Sequence, residues 1–150
     1  MKPLKKYELL KGKKYKMTKE ELGLLYPIFL SKYNPEWPDW FEEEKKNLIK
    51  ILSKENIIRI NHIGSTAVPE LAAKPTIDIL VELHPESNSE IIKKIMLENE
   101  YIYMKEQLNH LMFVKGYLPQ GGLDKKSFHI HMGTKKDDDL LNRLYFRDYL

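Results

Sequence analysis

A glycine–serine pair and an aspartate further along the chain are the residues whose types and spacing point most clearly to chemistry. Gly64 and Ser65 follow a run of β-branched residues, and Asp78 lies within the next such run. A small turn of this kind lets a phosphate approach the backbone, and the serine hydroxyl can hydrogen-bond to its oxygens. A carboxylate on the neighbouring strand could then hold a divalent metal ion against the same phosphates. The spacing indicates a phosphate site, and it leaves open the alternative of a plain turn followed by a strand-edge aspartate.

Four further polar residues are candidates for the same site. Thr66 opens the segment after the turn, where the first N–H groups of a helix would face an anion. Lys74 precedes the second run and could neutralise phosphate, or could be only solvated. His129 and His131 alternate on a later strand, where they could act as metal ligands, as a proton-transfer pair or as phosphate contacts. Paired histidines also occur on solvent-facing strands without a function, so both interpretations stand.

Two predicted strands position the turn and the aspartate. Ile57–Ile63 is rich in β-branched residues and is followed by the Gly-Ser turn. Residues 75–83 form the clearest strand of the chain, and its alternation puts Asp78, Leu80 and Glu82 on one face. The opposite face is wholly apolar and consists of Ile77, Ile79, Val81 and Leu83.

Three later strands are predicted on the same grounds. Residues 101–105 and 110–117 resemble a hairpin pair, and residues 116–126 are predicted to be a loop. Residues 127–132 alternate again, with Phe128, Ile130 and Met132 on one side and the two histidines on the other. We expect the histidine side to continue the sheet face of Asp78, because neighbouring strands share their faces.

Two helices are predicted between these strands and before them. Asn34 and Pro35 are typical of a helix start, with asparagine as the cap and proline in the first turn. The inward face of that helix is predicted to contain Trp37, Phe41, Leu48 and Leu52. Ser87 and Glu90 have the spacing of a capping box and predict a second helix. Its predicted inward face contains Ile91, Ile92, Ile95 and Met96.

Helices are also predicted after Thr18, from a capping-box spacing, and over residues 137–150. The order of elements predicts an α/β (α+β) fold: a mixed β-sheet covered by helices, in a single domain. We expect this domain to span residues 18–150 and to follow a lysine-rich tail over residues 1–17.

Composition limits the kinds of site and location that are possible. The chain has 150 residues, the size of one ordinary domain, and no cysteine. Disulfides and thiolate metal sites are therefore excluded, and a metal ion would be bound by carboxylate, imidazole or water. No stretch approaches the roughly 20 apolar residues of a membrane span. The N-terminal lysines lack the apolar core of a signal peptide, so we expect a cytoplasmic protein with no membrane partner.

The charge distribution argues against a nucleic-acid partner. Residues 1–19 contain eight lysines and one acidic residue, but the lysines are not interleaved with stacking aromatics. A solvated tail explains them better than a nucleic-acid arm. The remaining residues have more acidic than basic side chains, the opposite of a duplex-binding surface.

Several segments of the chain resemble the GrpB family. Residues 61–83, NHIGSTAVPELAAKPTIDILVEL, are similar to its signature segment. Residues 33–38 with Phe41 and Glu44 resemble its entry helix, residues 128–131 its late strand and residues 144–150 its terminal helix. The resemblance covers the chain from about residue 18 to its end, with the segments in the same order.

The resemblance implies a nucleotidyltransferase-like fold, in which a Gly-Ser turn binds the triphosphate and two carboxylates at alternate positions of the next strand bind metal ions. Asp78 matches the first carboxylate, but the second position is Leu80, which cannot bind a metal. Glu82 lies on the same face about 7 Å further along the strand and could replace it. The late strand offers His129 and His131 instead of a third acid.

The function implied is metal-dependent nucleotidyl transfer from a nucleoside triphosphate to a small acceptor, with Mg²⁺ or Mn²⁺. Its expected catalytic residues are Asp78 and Glu82. Phosphate would be bound by Gly64, Ser65, Thr66 and Lys74, and metal by Asp78, His129 and His131. The alternative is a non-catalytic domain that binds a nucleotide or a phosphorylated metabolite and has lost the second metal ligand.

Overall fold

The computed structural model describes residues 30–104, 110–117 and 123–134. Within these ranges one five-stranded sheet has the order β1-β2-β5-β4-β3. Its strands are β1 (Ile57–Ile63), β2 (Thr76–Leu83), β3 (Ile102–Tyr103), β4 (His110–Tyr117) and β5 (Leu123–Gly133). The helices are α1 (Trp37–Leu52) and α2 (Ser89–Glu98), and short 3-10 turns span Lys54–Asn56 and Ser65–Ala67. β2 and β5 run parallel, whereas the other neighbours are antiparallel. The predicted mixed α+β sheet is confirmed.

The apolar side of the sheet packs against the helices and forms the core. All four apolar residues predicted on β2 are buried there, together with Phe128, Ile130 and Met132 of β5. The predicted inward face of α1 is also confirmed, since Trp37, Phe41, Leu48 and Leu52 are buried in the same cluster. The polar candidate residues of β2 and β5 therefore lie on the opposite face of the sheet. In the described part of the chain, no helix is both long and apolar enough to cross a membrane.

The helix starts differ from the sequence predictions. α1 begins at Trp37, because Asn34 makes a turn just before it: its side-chain oxygen accepts a hydrogen bond from the Glu36 N–H at 2.8 Å. α2 is capped by Asn88, whose side chain accepts from the N–H groups of Glu90 and Ile91. The predicted cap, Ser87, instead donates its hydroxyl proton to the His84 carbonyl.

The inward face of α2 was also predicted too broadly. Ile92 and Met96 are buried and Ile95 packs partly against the core, but Ile91 is 56% exposed. Residues 92, 95 and 96 share one side of a helix with 3.6 residues per turn, and residue 91 lies about a quarter turn away from its centre.

Strand lengths correct two further predictions. β3 contains two residues instead of the five predicted. The predicted loop 116–126 is partly strand, since β4 extends to Tyr117 and β5 begins at Leu123. The tail 1–17, its boundary with the domain, and the helices predicted after Thr18 and over 137–150 lie outside the described residues.

A buried polar cluster fastens α1 to the sheet. Glu44 of α1 is 5% exposed and accepts hydrogen bonds from the Tyr101 hydroxyl and from Lys115 Nζ, the latter at 3.1 and 3.2 Å. Asn47 donates to the Tyr101 hydroxyl oxygen at 3.0 Å. Burial, and then the negative charge of Glu44, raises the pKa of Tyr101 far above its usual value. A buried carboxylate is tolerated only when its oxygens are paired, and here both are.

We expect Tyr101→Phe to destabilise the fold by about 1–3 kcal/mol, because it removes one donor from a buried carboxylate and keeps the ring in place. Equilibrium unfolding in urea measures this loss. Tyr33→Phe is the matched control, since Tyr33 packs against Trp37 through its ring, and we expect its effect to be below about 0.5 kcal/mol. Equal effects of the two substitutions would contradict a structural role for the Tyr101 hydroxyl.

Candidate metal and phosphate site

The pairing of β2 with β5 brings the predicted metal ligands side by side. Asp78 is paired with His129, and Leu80 with His131, in a parallel register. All four side chains lie on the face opposite the helices, because the intervening residues belong to the apolar core. The expectation that the histidines continue the face of Asp78 is met by this register.

Three donor atoms converge at the centre of this face. Asp78 Oδ1 lies 3.4 Å from His129 Nδ1 and 3.8 Å from His131 Nε2. One ligand atom from each residue lies within 4.8 Å of the others, a spacing that could hold a metal ion. Donor atoms bound to one ion at about 2.1 Å lie about 3.0–3.4 Å from each other. The two carboxylate–imidazole distances would therefore have to shorten little or not at all when an ion binds. We call these three residues the donor group.

The donor group is accessible from the side of the aspartate. The His131 side chain is 1% exposed, His129 is 13% exposed and Asp78 is 23% exposed. Burial alone raises the pKa of the Asp78 carboxyl, but hydrogen bonds and positive charge from His129 and His131 outweigh it and hold that pKa well below its usual range. The carboxylate is therefore ionised at neutral pH, as a metal ligand must be.

The Gly-Ser turn lies directly against the same carboxylate. Gly64 has a φ of +75°, and a Cβ atom added to it would lie 2.8 Å from Asp78 Oδ2. One oxygen of Asp78 thus faces the backbone of the turn and the other faces the two imidazoles. The position needs glycine both for its left-handed backbone conformation and for the close approach of the carboxylate.

The Thr66 side chain makes its contacts within the fold. Its side chain is buried, with Oγ1 2.9 Å from His62 Nε2 and 3.5 Å from the Thr76 carbonyl, to which it donates. The His62 ring in turn stacks on Phe41, at 5.1 Å between ring centroids. The Ser65 side chain is exposed and Lys74 is half-buried just before β2 begins.

The remaining carboxylate candidate is used elsewhere. Glu82 lies outside the donor group and forms an ion pair with Arg59 at 2.8 Å. Leu80 is 3% exposed and packs against Ile63 in a small apolar cluster. The structure thus brings Gly64, Asp78, His129 and His131 together and holds Glu82 apart from them.

Sequence reasoning missed one residue beside the donor group. His110 on β4 is 2% exposed, and its Nε2 lies 3.4 Å from His131 Nδ1. Alternation does not reveal it, because residues 111–114 are all apolar and buried. Its contact with His131 follows only from the register of β4 and β5.

Comparison with known proteins identifies the family of this chain. A family model described as GrpB protein matches residues 27–150. The chain belongs to the GrpB family. It is 34% identical to the YqkA protein of Bacillus subtilis in an alignment 146 positions long, which covers 91% of this chain and 41% of that protein. It is also 34% identical to the PA4798 protein of Pseudomonas aeruginosa over 119 residues, which cover 78% of this chain and 47% of that protein.

A solved structure confirms the fold of this GrpB-family chain. The conserved protein GrpB from Enterococcus faecalis is 37% identical, with a TM-score of 0.67 over 81% of this chain and 72% of that one. The Cid1 poly(U) polymerase aligns at 14% identity with a TM-score of 0.46, too weak a likeness to support an inference. The chain spans about half the length of the curated relatives that it matches.

A non-glycine residue in the loop before β2 has a positive backbone angle. Glu70 has a φ of +67°. A non-glycine residue in this left-handed region costs about 1–2 kcal/mol. Glycine would adopt the same backbone conformation at a lower cost.

Gly64→Ala is expected to destabilise the fold by at least about 1–2 kcal/mol, because it adds the cost of a positive φ to a contact with the Asp78 carboxylate. Urea unfolding measures the loss. Ser65→Ala is the neighbouring control and should stay within about 0.5 kcal/mol of the wild type, since its side chain is exposed. Equal stabilities for the two variants would show that the turn does not require glycine.

Proposed function

We propose that this chain binds the phosphates of a nucleotide through one divalent metal ion held by Asp78, His129 and His131. We further propose that it transfers a nucleotidyl group from a nucleoside triphosphate to a small acceptor. The observation that carries the proposal is the position of the Asp78 carboxylate between the Gly64 turn and the two imidazoles. A metal ion in the donor group would lie next to the backbone that is best suited to accept a phosphate.

The donor set favours a transition-metal ion. Mg²⁺ prefers oxygen ligands in an octahedral shell, whereas two imidazoles and one carboxylate suit ions further along the first-row series. Of the two ions expected from the sequence, Mn²⁺ therefore fits better than Mg²⁺. When bound, such an ion would stabilise the negative charge that develops on the transferring phosphate.

The residues of the chain then have separate tasks. The turn at Gly64 and Ser65 presents backbone N–H groups and an exposed hydroxyl to the phosphate oxygens. Lys74, half-buried before β2, would add a positive charge. Thr66 keeps its hydroxyl in contact with His62 and Thr76 and holds the turn in place. Glu82 stabilises β1 against β2 through Arg59, so we assign it no catalytic task.

A second candidate function is binding without catalysis. The side chain at the position of a second metal-binding carboxylate is Leu80, buried against Ile63, and the next acid along the strand is paired with Arg59. A single carboxylate supports a single metal ion, whereas the two-metal arrangement of many phosphoryl-transfer enzymes uses several. This domain would then recognise a nucleotide or a phosphorylated metabolite.

The predicted cytoplasmic location remains a prediction under either function.

The metal site is tested first by calorimetric titration of the full chain with Mn²⁺ and, separately, Mg²⁺. We expect one ion per chain, a higher affinity for Mn²⁺, and a loss of at least about tenfold in each of two variants. His129→Ala removes a direct ligand, and Asp78→Asn removes the negative charge of another. His84→Ala is the control, because it removes an exposed histidine that is not part of the donor group. Unchanged Mn²⁺ affinity in Asp78→Asn would exclude the donor group as the metal site.

The nucleotide and its fate are tested in a second experiment. With Mn²⁺ present, one nucleoside triphosphate at about 100 times its dissociation constant should stabilise the fold by about 2.7 kcal/mol, seen as a rise in Tm that is lost in Asp78→Asn. Release of pyrophosphate in the presence of an acceptor, also lost in Asp78→Asn, would establish transfer. Stoichiometric binding with no pyrophosphate over a broad acceptor panel would establish the second candidate instead.

A further inference from the structure

We propose that His110 is a positioning residue that fixes the orientation and tautomer of His131 as a metal ligand. This inference rests on the metal site of the proposed function and adds a residue to it. Its basis is a contact between two buried imidazoles, from His131 Nδ1 to His110 Nε2 at 3.4 Å. His110 is 2% exposed and His131 is 1% exposed. Their ring centroids lie 5.5 Å apart, with an interplanar angle of 38°.

The sheet register holds the two histidines in this relation. On β4, His110 is paired with Gly133, while His131 is paired with Met112. The two rings are therefore diagonal neighbours on one face of an antiparallel pair, a separation that aromatic side chains bridge. Because Gly133 has no side chain, the space opposite His110 remains open to the His131 ring.

The two nitrogens of His131 face different partners. Nε2 is directed at Asp78 Oδ1 and Nδ1 at His110. An imidazole that binds a metal through Nε2 carries its proton on Nδ1, so His131 Nδ1–H must donate and His110 Nε2 must accept. His110 then carries its own proton on Nδ1. Metal binding thus selects one tautomer for each of the two rings.

This contact distinguishes the two ligand histidines. Among the described residues, His129 Nε2 is buried and has no hydrogen-bond partner. Nδ1 of His131, the ring nitrogen that faces away from the donor group, contacts His110 Nε2 as its acceptor. Because this contact is buried, water does not compete for it. His131 is therefore the ligand whose ring is held in place before a metal ion arrives.

Two matched variants test the inference in the full chain, with Zn²⁺ alone as the probe. His110→Leu removes the acceptor, whereas His110→Gln keeps an amide oxygen near the position of Nε2. We expect His110→Leu to weaken Zn²⁺ binding by about 10–100-fold and His110→Gln to recover most of that loss. Urea unfolding of the metal-free variants separates this effect from a general loss of stability.

The wild-type chain provides a second measurement that needs no variant. Two-bond ¹H–¹⁵N correlation spectra of the imidazoles identify the protonated nitrogen of each histidine. With Zn²⁺ bound, we expect the Nδ1–H tautomer for both His131 and His110. An Nε2–H tautomer at His110, or equal Zn²⁺ affinity in the wild type and His110→Leu, would overturn the positioning role.

Failure of the site itself gives a different result. If neither Mn²⁺ nor Zn²⁺ binds the wild type, or both bind Asp78→Asn equally well, the metal site and the role of His110 are both excluded. If Zn²⁺ binding depends on Asp78 but not on His110, the site stands and only the inference about His110 fails.

Discussion

The parallel pairing of β2 with β5 is the constraint on which the site depends. At the start of the pair, the buried hydroxyls of Thr76 and Ser127 hydrogen-bond at 2.9 Å, and Ser127 also donates to the Pro75 carbonyl at 3.1 Å. These bonds help to fix the register that puts Asp78 beside His129. A slip of one residue would turn both histidines toward the helices and would expose apolar side chains, so the core and the donor group require the same register.

Two buried or half-buried carboxylates show how surroundings decide a role. Glu44 accepts from a tyrosine hydroxyl and from a lysine ammonium, and both of its oxygens are used within the fold. Asp78 instead faces two imidazoles and a glycine turn, and its side chain is 23% exposed. A carboxylate whose two oxygens are both hydrogen-bonded within the fold stabilises packing. A carboxylate that is partly exposed and lies beside other metal-binding side chains is suited to a ligand. The chain places one on each side of the sheet.

The sequence predicted those parts of the fold that are encoded locally. The β-branched content identified β1. Alternation identified the two faces of β2 and the histidine face of β5, because one buried side imposes a period of two. Sequence patterns gave wrong predictions where tertiary contacts decide which residue caps a helix or where a strand begins. Asn88 caps α2 in place of Ser87, and β5 begins at Leu123 in what resembled a loop. The burial of Glu44 could not be read from α1, because its partner Lys115 lies 71 residues away. His110 was missed for the same reason, since its contact exists only through the β4–β5 register.

The seam between β2 and β5 also bears on the order in which the sheet assembles. β1 with β2, and β4 with β5, are antiparallel neighbours in sequence, whereas Thr76 and Ser127 are 51 residues apart. Contacts between distant segments carry the larger loop-closure cost, so the two antiparallel units are expected to form before they join. An ion bound by Asp78 on one unit and by two histidines on the other would act as a crosslink between them. Its removal would weaken the sheet at its centre, while the edge strands would keep their own pairing.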